Sequence, residues 1–282
     1  MFRRRLTAWL LLAVMCFATA TPAHSSSRKP KTAQITLTND WCGRKVVFLG
    51  DSITDKNNVS SKIYWQYLAE MLGLEPYVYG INGHQWSNIP SQIARMEADG
   101  IAPDAIFIFA GTNDYNANVP LGEWYNPSEV QIVNVNGKMV ERQHRTLASG
   151  KSTLCGRIND VILALRNDYP TAQIVLITPL HRGFATFGSG NVQPDESYAN
   201  GLGLYINDYV DTIREASSVW SVPVIDLFAE SGIIPNLPSN TQYITNTNRD
   251  RLHPNAEGHR RMAKVMAYAM LAMPASFASD AQ

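Results

Sequence analysis

The sequence has little cysteine, little charge and no apolar run of the roughly 20 residues that a membrane-spanning helix needs. Its three cysteines form no Cys/His cluster with metal-ligand spacing, so we predict neither a metal site nor a bound cofactor. Charged residues make up only 17% of the chain, and the formal net charge is zero. A nucleic-acid partner, which would select a basic surface, is therefore not expected.

Apolar residues, by contrast, are plentiful enough for one full core. Hydrophobic residues account for 45% of the 282 positions, and single α/β domains of this length are common. The sequence has no internal repeat, and its composition is not typical of coiled coils, collagen or disordered chains. We therefore expect one globular domain.

The first 25 residues are typical of an export signal. Arginines at positions 3–5 precede an apolar run from Leu6 to about Ala18, and small residues follow. We predict that residues 1–25 are removed and that the mature chain is periplasmic or secreted, with no stable insertion in a membrane. An uncleaved anchor is the alternative. Removal lowers Lys+Arg from 24 to 21 against 24 Asp+Glu, which leaves a net charge of −3.

The remaining chain is predicted to form a flexible leader at residues 26–40, a single domain at 41–275 and a tail at 276–282. One insertion, at about 115–150, interrupts the alternation of strand-like and helix-like segments in this domain. An insertion of that length after a strand's carboxyl end is more often functional than idle. It contains a predicted hairpin whose strands, Val130–Val135 and Lys138–Glu141, are joined by Asn136-Gly137.

The cysteines indicate neither a lipid-modified residue nor a disulfide bond. Met15 is bulkier than the residue that usually precedes a lipid-modified cysteine, which argues against a lipoprotein anchor at Cys16. An oxidising compartment would permit a bond between Cys42 and Cys155. However, the predicted first strand separates them by roughly 16 Å, whereas a disulfide needs Cα atoms within about 7 Å. We predict that both are free.

Short β-branched runs alternate with segments of helical periodicity from residue 42 onward. Runs that are almost wholly apolar indicate strands covered on both faces, as in parallel sheets. The sequence therefore predicts a three-layer α/β/α sandwich with a parallel five-stranded sheet, flavodoxin-like in general plan. The predicted strands are Lys45–Leu49, Tyr77–Tyr79, Ala105–Phe109, Gln173–Ile177 and Val222–Ile225.

Distinctive polar groups follow the first three predicted strands and recur near the carboxyl terminus. In open α/β sheets, ligands bind beyond the carboxyl ends of the strands. The four segments are Gly50-Asp51-Ser52-Ile53, Gly80-Ile81-Asn82-Gly83, Gly111-Thr112-Asn113-Asp114 and Asp250-Arg251-Leu252-His253.

These segments, in this order, resemble the blocks that define the SGNH (GDSL-type) hydrolases. The resemblance covers about residues 44 to 270. It implies that Ser52 is the nucleophile and that Asp250 and His253 complete a catalytic triad. It also implies that Gly83 and Asn113 donate to an oxyanion hole together with the Ser52 backbone.

Physical chemistry gives the same roles to these residues. A serine hydroxyl is a weak nucleophile until a base takes its proton. His253 is the natural base, and a carboxylate three residues earlier can reach its other ring nitrogen and fix the tautomer. Acyl transfer also needs hydrogen-bond donors at the developing oxyanion, each worth about 3–4 kcal/mol. Gly83 lacks a Cβ, so its backbone can approach a substrate closely.

Other polar residues compete for these roles. Ser52 could cap a turn, Asn113 could belong to an ordinary turn, and His253 could be a surface imidazole. His259, Asp226 and His84 are rival triad candidates, more typical of structural or rim positions. Asp51 and Asp114 are expected to hold loop backbone. The motif G-x-S-x-G does not occur, so the nucleophile elbow of α/β-hydrolases is not expected.

Four further residues are candidates for substrate contact. His181 and Arg182 directly follow the fourth predicted strand and are expected to face the cleft. Trp86 and Trp124, the second beside Tyr125, could line it as aromatic platforms. Packing in the core or at an interface is an equally open role for each of the four.

We therefore predict an exported serine esterase that forms an acyl-enzyme and cleaves short-chain, acetyl-type esters on a carbohydrate. The alternatives are a lysophospholipase or thioesterase acting on lipids, an acyltransferase, and a non-catalytic carbohydrate-binding protein with the same fold. The expected partner is a small-molecule or glycan ester. The sequence does not decide the oligomeric state.

Overall fold

A computed structural model describes residues 38–273 and residue 277, all within one compact unit, Leu37–Gln282. The predicted export signal and most of the predicted leader and tail lie outside the described residues. No helix in the described ranges is long and apolar enough to cross a membrane.

The described residues form eleven strands. They are β1 (Lys45–Gly50), β2 (Glu75–Val78), β3 (Ala105–Phe109), β4 (Glu129–Val135), β5 (Lys138–His144), β6 (Gln173–Ile177), β7 (Ala185–Thr186), β8 (Val192–Gln193), β9 (Val224–Ile225), β10 (Ile244–Asn246) and β11 (Asp250–Pro254).

Seven α-helices accompany these strands among the described residues. They are α1 (Tyr64–Leu72), α2 (Ile89–Ala98), α3 (Thr112–Asn116), α4 (Leu154–Asp168), α5 (Ile206–Trp220), α6 (Leu227–Glu230) and α7 (Ala256–Ala272). Short 3₁₀ helices span Trp86–Asn88 and Pro238–Tyr243.

The central sheet has five strands in the order β2-β1-β3-β6-β9, and every neighbouring pair is parallel. The predicted three-layer α/β/α fold is thus confirmed. Helices α2, α4 and α5 pack on one face, and α1 and α7 pack on the other. Two apolar clusters, one on each face of the sheet, form the core.

The sequence of strand β1 is almost wholly apolar because both faces of the strand are covered. Val47 and Leu49 point into one cluster, while Val46 and Phe48 point into the other, and all four are fully buried. Because successive side chains of a strand point to opposite faces, a strand covered on both faces can expose neither set to water.

Two of the five predicted strands begin two residues away from their predicted positions, and the first ends one residue later than predicted. The second strand begins at Glu75 and ends at Val78, instead of spanning Tyr77–Tyr79. The fifth is confined to Val224–Ile225, because Pro223 has no N–H to donate to the sheet. The carbonyl of Pro223 still accepts a hydrogen bond from Leu176.

A second sheet, in the order β10-β11-β7-β8, was not predicted. The segment from Asp250 to His253 belongs to its strand β11. The insertion contains the predicted hairpin as a separate two-stranded sheet, β4-β5, with strands slightly longer than expected. Asn136 and Gly137 both have positive φ, +52° and +80°, as a tight hairpin turn requires.

Cys42 and Cys155 are both free, as predicted. Cys42 is exposed in the turn before β1, and Cys155 is buried at the start of α4. Burial raises the pKa of the Cys155 thiol to about 12. A thiol of this kind stays protonated at neutral pH and is a poor nucleophile.

His259 is a structural residue of α7. Its ring is fully buried and stacks on Tyr64, with 6.1 Å between the ring centroids. Neither ring nitrogen has a hydrogen-bond partner among the described residues. Burial and the nearby charge of His253 lower its pKa from 6.5 to about 3.

The burial of His259 predicts that the free energy of unfolding depends on pH. Below pH 6.5 the unfolded chain binds a proton at residue 259, whereas the folded chain stays neutral there until about pH 3. Folded stability at this site therefore falls with acidification by up to about 1.4 kcal/mol per pH unit. We expect His259→Leu to gain stability relative to the wild type as the pH drops from 6.5 to 4.

Urea unfolding at a series of pH values measures this difference. His144→Leu, which replaces an exposed histidine on β5, is the matched control and should parallel the wild type. A constant difference between His259→Leu and the wild type across the pH range would contradict the assignment.

Candidate active site

The carboxyl edge of the central sheet brings three of the four motif segments together. Ser52 lies in the turn directly after β1, Gly83 in the loop after β2, and Asn113 in the first turn of α3 after β3. Strand β11 of the second sheet supplies Asp250 and His253.

Ser52, His253 and Asp250 form a continuous hydrogen-bonded chain. The Ser52 Oγ lies 2.8 Å from His253 Nε2. The other ring nitrogen, Nδ1, lies 2.9 Å from Asp250 Oδ2. An ionised carboxylate can only accept, so the Nδ1 carries the proton and the Nε2 is free to accept from the serine hydroxyl. The arrangement can therefore transfer a proton from Ser52 to His253.

Asp250 is held as an ionised group. Burial alone would raise its pKa, but the hydrogen bond and charge of His253 outweigh that effect. The backbone N–H groups of Leu252 and His253 also donate to Oδ1, at 3.1 and 3.0 Å. The pKa of Asp250 is therefore lowered, and the carboxylate persists to orient the imidazole.

Three hydrogen-bond donors belong to residues that line the cleft beside Ser52. Within the described chain, the backbone N–H groups of Ser52 and Gly83 donate to no protein acceptor. Asn113 donates one Nδ2 hydrogen to the His84 carbonyl at 3.0 Å, which leaves the second for another acceptor. Gly83 has φ +76°, a conformation that a side chain would strain, and the space where a Cβ would lie is open.

Buried charged groups fix the position of the loop of Gly83 relative to helix α3. Asp114 accepts a hydrogen bond from the Trp86 backbone at 3.1 Å and pairs with Arg157 Nη1 at 2.8 Å. Burial raises the pKa of Asp114 to about 6, against the lowering effect of Arg157. Asp114 thus holds backbone, as predicted, whereas no motif in the sequence pointed to Arg157.

The turn that carries Ser52 is fixed in a similar way. Asp51 is fully buried and accepts from the Ile53 N–H at 3.0 Å. Burial raises its pKa to about 6. Asp55 accepts from the Asn82 backbone at 2.9 Å, which joins this turn to the loop of Gly83. The nucleophile turn and the donor loop are therefore one hydrogen-bonded unit.

A cleft of about 250 Å³ lies over Ser52 and His253. Phe187 and Leu252 contribute apolar surface, and the Phe187 ring meets the His253 ring edge-to-face at 5.5 Å. Asp55 is the one carboxylate among the residues that line it. Most of its polar wall consists of carboxamide side chains: Asn57, Asn58, Asn82, Asn113, Asn191 and Gln193.

The four predicted substrate-contact residues do not line this cleft. Trp86 and Trp124 are buried in the core beneath the edge of the sheet, and Arg182 is only 1% exposed. His181 is half-buried, bonds to Glu196 at 2.9 Å and stacks on Phe228. The prediction that these residues face the substrate was wrong, because Trp86, His181 and Arg182 are held by hydrogen bonds to other residues. Trp124 packs into the apolar cluster on one face of the sheet.

Arg182 instead supports the cleft wall from behind. Its guanidinium donates to Thr112 Oγ1 at 3.1 Å and to Gln193 Oε1 at 2.8 Å. Gln193 in turn donates to Asn191 Oδ1 at 2.9 Å. The sequence did not reveal Phe187, Asn191 or Gln193, because no motif surrounds the short strands β7 and β8.

The remaining rival triad candidates have structural roles. Asp226 caps α6 through the Ala229 N–H at 3.1 Å and pairs with Arg214 at 2.8 Å. His84 contacts Gln92 Nε2 at 3.0 Å, and burial lowers its pKa. Neither bonds to Ser52.

Comparisons with known proteins agree with this architecture. The model of the GDSL-like Lipase/Acylhydrolase family matches residues 48–261. No curated protein matches the chain significantly. A solved structure from Lactobacillus plantarum is 25% identical, covers 81% of this chain and 97% of its own, and superposes with a TM-score of 0.61.

Two further solved structures share the fold. A possible lipase from Chitinophaga pinensis DSM 2588 has 22% identity and a TM-score of 0.61, over 80% of this chain and 97% of its own. An acetyl xylan esterase, AlAXEase, has 23% identity and a TM-score of 0.51, over 80% of this chain and 98% of its own. The family match covers all four motif segments. The chain therefore belongs to the GDSL-like lipase/acylhydrolase family, whose members hydrolyse esters.

Proposed function

We propose that this protein is an exported serine esterase that removes short acyl groups, acetate above all, from a carbohydrate. The observation that carries the catalytic part of the proposal is the hydrogen-bonded chain from Ser52 through His253 to Asp250 at the floor of an open cleft. Export rests on the sequence of residues 1–25.

In the acylation half-reaction, His253 Nε2 takes the proton of Ser52 while the Oγ attacks the ester carbonyl carbon. The carbonyl oxygen becomes an oxyanion, which the N–H groups of Ser52 and Gly83 and the Asn113 amide stabilise. His253 then returns the proton to the leaving alcohol, and the C–O bond breaks. The acyl group remains on Ser52.

Deacylation repeats these steps with water. His253 accepts a proton from the water as its oxygen attacks the acyl carbon, and the same donors stabilise the second oxyanion. The proton passes to Ser52 Oγ as the carboxylic acid leaves. Asp250 remains ionised throughout and stabilises the imidazolium that forms in each half-reaction.

The chemistry of the cleft supports a polyhydroxylated alcohol and a small acyl group. Carboxamides both donate and accept, which matches the hydroxyl groups of a sugar. The volume of about 250 Å³ is below the roughly 300–1,000 Å³ of typical ligand pockets, so a long acyl chain has little room. A lipid substrate would instead call for a long apolar groove.

The fold is compatible with this substrate, since the acetyl xylan esterase shares it. Hydrolysis and acyl transfer to a second sugar use the same acyl-enzyme and differ in the final acceptor. The cleft is open to solvent, which favours water as the acceptor.

Replacement of the nucleophile is the first test. Ser52→Ala should lower kcat on p-nitrophenyl acetate to less than about a thousandth of the wild type, because no other hydroxyl among the described residues bonds to His253. The fold should persist, since the substitution removes one oxygen from a cleft wall. Ser61→Ala, at an exposed serine nearby, is the control and should retain full activity. A tenth of wild-type kcat in Ser52→Ala would refute the assignment.

Asn113 offers a separate test of the oxyanion site. Asn113→Ala should lower kcat by roughly 10²–10³ with a smaller effect on KM, since the lost donor acts mainly in the transition state. Asn57→Ala removes a carboxamide from the same cleft that is not an oxyanion donor, so its kcat on the small ester should stay within about twofold. A change in KM alone for Asn113→Ala would make Asn113 a binding residue.

A series of acyl lengths decides the substrate class. We expect kcat/KM to fall steeply from acetate to octanoate esters of one alcohol, because the cleft is small. Ser52→Ala supplies the background rate for each ester. A profile that rises with acyl length would replace the carbohydrate proposal with the lipid one.

A further inference from the structure

The insertion hairpin is a ribbon of two strands with both faces open. Strands β4 and β5 pair from Glu129 with His144 to Val135 with Lys138. Every residue of the two strands is exposed except Val140, which is half-buried. Within the described chain, neither strand packs against another helix or strand to a comparable extent. An isolated two-stranded hairpin is only marginally stable in water.

The ribbon nevertheless presents apolar side chains on both faces. Val130 and Ile132, 58% and 67% exposed, share one face with Met139 of the opposite strand. Val133, Val135 and Val140 share the other face. Exposed apolar residues are ordinary when scattered singly, but a cluster of them marks an interaction surface.

The two free edges of the ribbon differ in charge. Strand β5 carries Lys138, Glu141 and Arg142, whereas β4 has one charged residue, Glu129, at its first position. Native proteins usually protect an exposed strand edge with charged residues or proline. The six residues Val130–Val135 have neither and are rich in β-branched residues, which is typical of a strand that pairs with another.

We propose that β4 pairs with β4 of a second copy of this chain, antiparallel about a dyad axis at Ile132. This axis pairs all seven residues of the strand and places no like charges opposite each other. The ribbon becomes a four-stranded sheet, which meets the usual minimum for independent stability. Across the new edge, Ile132 meets Ile132, Gln131 meets Val133, Val130 meets Asn134 and Glu129 meets Val135.

The β5 edge does not offer the same pairing. A dyad axis that pairs all seven residues of β5 passes through Glu141 and places it directly opposite the Glu141 of the second copy. Like charges in directly opposed cross-strand positions are destabilising. Charge therefore selects β4 as the edge that self-associates.

Sedimentation velocity on the full chain over a range of concentrations tests this proposal. We expect the wild type to form a dimer and Ile132→Glu to be monomeric. In a dimer of this variant the two new carboxylates would lie opposite each other, and each would also lie opposite the Glu141 of its own chain. An equimolar mixture of Ile132→Glu and Ile132→Lys should restore a dimer with one chain of each. Only an axis at residue 132 places the two new charges opposite each other.

Leu163→Glu is the matched control, since Leu163 is an exposed apolar residue on α4, away from the ribbon, and this variant should dimerise normally. Unchanged far-UV circular dichroism shows that each variant is folded. A wild type that remains monomeric up to about 100 µM overturns the proposal, as does a dimeric Ile132→Glu. Failure of the charge-swapped mixture to associate refutes the pairing at Ile132.

Discussion

The hydrogen bond between His253 and Ser52 joins positions 201 residues apart, and much of the fold serves to bring those two side chains within 2.8 Å. Ser52 is fixed by the end of β1, an interior strand of the sheet that is buried from Val46 to Gly50. His253 is fixed by β11, which pairs with β10 on one side and β7 on the other. Asn255 then caps α7 and also bonds to the Ile244 carbonyl. The imidazole thus sits between a strand and a capped helix, with little freedom to turn away.

Buried polar groups beneath the cleft determine where the hydrogen-bond donors point. Asp114 of α3 and Arg157 of α4 form an ion pair beside the loop of Gly83, and leaving one such partner unpaired typically costs about 3–5 kcal/mol. Helix α3 and this loop are therefore held in one arrangement before any substrate arrives. Donors fixed in this way need no reorganisation when charge develops on the ester oxygen, which is the condition for effective electrostatic catalysis.

Much of this architecture was predictable from the sequence, and the exceptions have a common cause. The strands Ala105–Phe109 and Gln173–Ile177 matched their predictions because an apolar run is a local signal. The sequence grouped Ser52, Asp250 and His253, which the structure joins by hydrogen bonds, because their motifs are also local. The prediction that Arg182 faces the cleft was wrong, because its burial depends on a hydrogen bond to Thr112, which is 70 residues away. Strands β7 and β8, of two residues each, are too short for any periodicity to show.

The wall that includes Phe187, Asn191 and Gln193 comes from a hairpin whose strand β7 pairs directly with β11. At its turn, a side chain added at Gly190 would meet no atom within 4 Å. A larger side chain at this position would therefore leave the core undisturbed. Because His253 lies on the adjoining strand β11, such a change would alter the wall of the cleft and leave the hydrogen bonds of His253 to Ser52 and Asp250 intact. The cleft wall and the imidazole thus belong to separable parts of the same small sheet.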